Sequence, residues 1–235
     1  MQDTNDGTVE GSGDELHFLE VPEVVGALDR MLDEFAGESD WGAVLIAADI
    51  VAETLASVVE ALRPAAFEAG RLKQLMRYPG SIATFSARSD IAFLAGFIDA
   101  TANASIDKLR KLRNSAAHSQ SAFNLLDHRD TLRAIADLGP GVADTANRMA
   151  AEVLMRSVVR NLLDAGIRIE AETGSNPFSS PAEAMDELAK RPDAMEKLED
   201  RLPRMELAFA VWLLLGLIRH KQQAILAART KPADA

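Results

Sequence analysis

The 235-residue chain is 48% hydrophobic, enough for a buried core, and carries a formal net charge of -11 with no cysteine. The acidic balance counts against a surface built to neutralise many nucleic-acid phosphates and so disfavours direct DNA reading, while leaving room for a local basic cleft. Without thiols there are no disulfides, no thiolate nucleophile and no thiolate metal ligands, as suits a cytoplasmic protein.

Ala, Leu, Glu and Arg dominate, and no stretch alternates cleanly between apolar and polar residues. The expectation is an all-α fold, a bundle of about seven to nine helices with no sheet. The four histidines, His17, His118, His128 and His220, show no two-histidine helical spacing, so neither a metal nor a cofactor is expected.

Residues 1–19 are acidic and lack the basic and apolar segments of a signal peptide, and they read as a disordered tail. A helical core is expected over 20–138 and a C-terminal helical extension packing on it over 139–230. Pro22 opens a first helix with Val24, Val25, Leu28, Met31, Leu32 and Phe35 on one stripe, ended by Ala36-Gly37. Ser39-Asp40 caps a second helix from Trp41 to Arg63, which Pro64 ends. Asp49 and Glu53, four apart on that helix, read as a solvated or arginine-paired face rather than a metal site.

A short helix from Phe67 to Met76 precedes the turn Tyr78-Pro79-Gly80. Ser86 is the expected cap of a fourth helix. Arg88 falls in its first turn, where a cation opposes the helix dipole, so a carboxylate is expected beside it, from Asp49, Glu53 or a partner protein. The fifth helix is expected from about Ser105 to His118, with Ile106, Leu109, Leu112 and Ala116 inward. It ends Arg113-Asn114-Ser115-Ala116-Ala117-His118, a cluster able to brace a helix end, bind an anion or partner, or exchange a proton. Arg113 and His118 lie about 140° apart around a helix, whereas Asn114 and His118 share a face.

A loop over Ser119–Asp130, a short helix from Arg129 to Leu138 and the break Gly139-Pro140-Gly141 come next. A long helix from Val142 to about Ala171, two charged helical pieces (Ala182–Lys190 and Asp193–Arg201) and a final helix after Pro203 complete the reading. The apolar run Leu207–Ile218 is too short for a bilayer span and predicts a buried central helix or a subunit interface, so no membrane association is expected. Arg219-His220-Lys221 reads as that helix's cationic last turn.

From about Glu38 to Asp127 the pattern resembles the mannitol operon repressor (MtlR-like) family. The carrying residues are Ser39-Asp40-Trp41-Gly42-Ala43-Val44-Leu45, Phe85-Ser86-Ala87-Arg88 before an apolar helix ending Ala95-Gly96-Phe97-Ile98, and the run from Leu109 to Ser119. The chain departs from the family pattern in having only Pro79-Gly80-Ser81 before the Ser-x-x-Arg element. It also has Asn124 and Asp127 in place of an acidic pair. The resemblance implies an all-helical transcriptional regulator, dimeric or larger, acting through a protein partner (transcription machinery or another regulator). Its groove would involve Arg88, Arg113 and His118.

Arg113 to His118 is also similar to the Arg-x(4 to 6)-His motif of the HEPN superfamily, which includes metal-independent, toxin-like or defence-related ribonucleases acting as dimers. That resemblance implies catalytic roles for Arg113, Asn114 and His118: histidine as general acid or base, arginine against charge on the phosphate. RNA would then be the substrate.

Overall fold

The computed structural model describes residues 17, 19–119 and 123–230, so nearly all of the expected disordered tail and the middle of the loop after His118 lie outside the described residues. Among the described residues there are nine α-helices and one 3-10 turn, with no strand, as the composition predicts. The helices are α1 (Pro22–Gly37), α2 (Asp40–Ala61), α3 (Ala69–Met76), α4 (Phe85–Leu94), α5 (Ala100–His118), α6 (Arg129–Ile135), α7 (Val142–Thr173), α8 (Pro181–Ala189) and α9 (Pro192–Thr230). The 3-10 turn, Leu125–His128, leads directly into α6.

Local chemistry accounts for most boundaries. Ser39 caps α2 by accepting from the Gly42 N–H at 3.1 Å. The cap of α4 is Thr84, not Ser86: the Thr84 hydroxyl accepts from the Ala87 N–H at 3.2 Å, which starts the helix at Phe85. Asp99 caps α5 by accepting from the Ala102 N–H at 2.9 Å, so this helix begins at Ala100, well before the expected Ser105. Thr101 and Asn103 are weak helix formers, and the cap outweighs them.

The greatest departure is α9. The two pieces expected on either side of Pro203 are parts of one 39-residue helix. A proline removes one backbone hydrogen bond and costs about 3 kcal/mol in a helix interior. Here Pro203 is buried and the helix packs along α7, α1, α2 and α6, so tertiary contacts hold it straight through. Arg219-His220-Lys221 therefore lies inside the helix rather than at its end. Arg219 donates to Ser57 Oγ at 2.8 Å, and Lys221 pairs with Asp99 at 3.0 Å, tying α9 to α2 and to the start of α5.

One hydrophobic cluster takes in side chains from α1, α2, α4, α5, α6, α7, α8 and α9. Ile106, Leu109, Leu112 and Ala116 form the inward stripe of α5, as their spacing predicts. Leu207–Ile218 is the central helix segment of that core, and Trp212 meets Phe209 edge-on with ring centroids 5.8 Å apart. Its apolar side chains are taken up within the chain's own bundle, the first of the two expected readings, a buried central helix. By length and composition α2 is a helix that can span a membrane, but its apolar side chains pack against α1, α4, α5 and α9.

A half-buried clasp joins the segments that start and finish the core. Arg204 on α9 lies 3.2 Å from Asp40 through Nε, with each side chain only 16% exposed. It also donates to the carbonyls of Phe35 and Glu38 at the end of α1. The second Asp40 oxygen accepts from the Leu125 N–H at 2.8 Å. One carboxylate thus fixes the α1–α2 corner, the 3-10 turn and α9 to each other.

Candidate functional site

Three of the four residues predicted for a site line one open groove of about 520 Å³ between α2, α4 and α5. They are Arg88, Arg113 and Asn114; His118 is not among its lining. The groove also takes in Arg110 and Asp49, on the outward faces of α5 and α2.

Arg88 is held by backbone, not by the carboxylate expected beside it. Its guanidinium donates to the carbonyls of Met76 at 3.0 Å, Ile82 at 3.2 Å and Ala52 at 3.4 Å. Met76 is the last residue of α3, so the cation meets the carbonyl-rich, negative end of that helix. This contact offsets its unfavourable place near the start of α4. The turn before α4 makes it possible: a Cβ on Gly80 would lie 2.2 Å from the Leu75 carbonyl oxygen, so only glycine lets the chain pass this close. The same oxygen accepts from the Ile82 N–H at 2.9 Å, which aims the Ile82 carbonyl at Arg88.

The cations of α5 divide by partner. Lys111 and Arg110 both bind Asp107, at 2.8 Å and 2.6 Å, and these bonds hold its carboxyl below the usual carboxylate range. Arg113, exposed one turn further on, has a weak 3.4 Å bond to the Asn114 side-chain oxygen and no ion pair among the described residues. It is the groove's available cation. Glu53, the other carboxylate considered for Arg88, faces Arg30 at 3.8 Å instead.

His118 ends α5 with its side chain exposed, and it makes no hydrogen bond to a described residue. Asn114 and His118 do share a helix face, but only Asn114 reaches the groove. Among the described residues no hydrogen bond from Arg113 or His118 ties this segment to another helix: its buried side chain is Ala116, while Arg113 and His118 are exposed. No family model, curated protein or solved structure matches the chain.

Arg113 and His118 do not line this groove together within one chain. A general acid or base needs to stand within hydrogen-bond reach of the group it serves, and His118 lies outside the groove that Arg113 lines. Among the described residues no cluster of three His, Asp or Glu side chains is placed to hold a metal ion. His128, the other histidine close in sequence, stacks on Phe123 with ring centroids 4.8 Å apart.

Proposed function

We propose that the protein is a cytoplasmic helical regulator acting through protein–protein contacts, as its resemblance to the mannitol operon repressor family implies. The α2–α4–α5 groove is its contact surface. The observation that carries this reading is the contrast between the two arginines: Arg88 is anchored by three carbonyls, while Arg113 is open to solvent without a carboxylate. A fixed groove with one uncommitted cation suits an acidic group on a partner, such as a component of the transcription machinery or another regulator. The overall charge of -11 fits contact with protein better than direct contact with DNA.

The test is complementation in the cell of origin. Deletion of the gene should change a defined set of transcripts, which wild type restores and Arg113→Glu, folded to the same melting temperature, does not. Full restoration by Arg113→Glu would remove the groove from the reading. An absence of any transcript change would remove regulation itself.

A second reading, a HEPN-type ribonuclease, is favoured by one observation: Arg113 and His118 are both solvent-open at one helix end. A second protomer can then complete a site that one chain leaves divided. Purified protein in chelator should leave unstructured RNA intact under the first reading. Cleavage abolished by His118→Ala would establish the second.

A further inference from the structure

A groove of about 800 Å³ lies on another face, between α1 and α7, with α9 as its base. Helices α1 and α7 each pack firmly on α9 but barely touch one another, which leaves a trough running between two helices over a third. Leu32, Val153 and Met205 contribute apolar surface to it.

Its two sides carry opposite charge. Asp29 and Asp33 of α1 stand four residues apart on one side, and Arg156 and Arg160 of α7 stand four residues apart on the other, with Arg201 of α9 beside them. Neither aspartate forms an ion pair with a described residue, and neither do Arg160 and Arg201. Arg156 reaches only Glu152 of its own helix, at 3.7 Å, with its side chain 81% exposed. Apart from the exposed Arg156–Glu152 pair, the two rows of charge have no ion-pair partner among the described residues, and each repeats at about 6 Å, the axial rise of four helical residues.

We propose that this trough docks an amphipathic helix from a partner protein. The helix lays its apolar stripe on the base, turns carboxylates at i, i+4 spacing toward Arg156 and Arg160, and turns lysines or arginines toward Asp29 and Asp33. A compact anion would satisfy the arginines and leave the aspartates facing it with like charge. A helix with opposite charges on its two flanks satisfies both rows and covers Leu32, Val153 and Met205 between them. This surface is separate from the α2–α4–α5 groove, and the inference stands apart from the regulatory reading of that groove.

The test uses the full chain and three synthetic 18-residue helical peptides with the same leucine stripe, flanked by glutamate on one side and lysine on the other, by glutamate on both, or by lysine on both. Calorimetry should show the mixed peptide binding tightest. The double variant Arg156→Glu/Arg160→Glu, on exposed positions, should weaken that peptide about tenfold, since two attractive pairs become repulsive. The same variant should prefer the all-lysine peptide. Asp29→Lys/Asp33→Lys should instead prefer the all-glutamate peptide, and circular dichroism should show both variants folded. Equal binding of all three peptides, or affinities unmoved by either charge reversal, would overturn the proposal. So would displacement of the mixed peptide by millimolar inorganic phosphate or citrate, which would make the trough a small-anion site.

Discussion

Replacing Asp40 with alanine tests the clasp that closes the core. The substitution strands Arg204, whose side chain is 16% exposed, without its carboxylate. Breaking a buried pair from one side typically costs 3–5 kcal/mol, but Arg204 keeps the carbonyls of Phe35 and Glu38, which reduces this share to about 2 kcal/mol. The Leu125 N–H loses its 2.8 Å acceptor, for about 1 kcal/mol more. Loss of an anion in the first turn of α2 adds about 0.5 kcal/mol. Allowing for overlap, Asp40→Ala should destabilise the protein by about 3 kcal/mol, lowering the melting temperature by about 6–12 °C for a chain of this size. Asp40→Asn can still accept from Leu125 and should cost roughly half as much. Urea unfolding followed by circular dichroism measures both. If Arg204→Met costs the same in the Asp40→Ala background as in wild type, the two residues are uncoupled and the clasp is not what holds this corner.

The two arginines of the groove should separate cleanly in the same assay. Arg88→Met, which frees three carbonyls, should cost about 2 kcal/mol, whereas exposed Arg113→Ala should stay within about 0.5 kcal/mol of wild type. Asp99 has its carboxyl lowered from the ordinary value of 3.8, chiefly by the Ala102 N–H and then by Lys221. Its stabilising contribution is present above that value and is lost as pH falls through the lowered folded-state pKa. Asp99→Ala should therefore cost about 1 kcal/mol at neutral pH and flatten the acid limb of the stability profile. Glu206 has the opposite sign: burial raises its carboxyl from 4.5, against a smaller opposing pull from Arg129. The folded state then holds this proton more tightly, so its contribution to stability falls as pH rises from 4.5 through the raised value. Glu206→Gln should reduce that loss, measured as melting temperature between pH 4 and 8.

The sequence was most legible where one local signal fixed one local structure. Ser39 before an apolar run marks the start of α2, and the spacing of Ile106, Leu109, Leu112 and Ala116 identifies the inward face of α5. It misled where a local signal met a tertiary one. Pro203 looks like a boundary, yet the contacts α9 makes along its length outweigh it. Arg88 looked like a cation in search of a carboxylate, because the carbonyls it meets come from α2, the end of α3 and a glycine turn. The helical angle already placed Arg113 and His118 on different faces, and the groove that includes the first leaves out the second. The charged trough was invisible in sequence, since Asp29 and Arg156 belong to helices brought together only by α9.

The position of α9 also constrains the order of events at synthesis. α1, α2 and α6 all rest on this last helix, so while it is still being translated the apolar surfaces they will turn to it have no cover. Contacts such as Phe35 to Arg204 span most of the chain and can close only after the intervening segments exist. A chain terminated inside α9 would leave those surfaces uncovered, and it should aggregate or be recruited by chaperones rather than act as a smaller working protein.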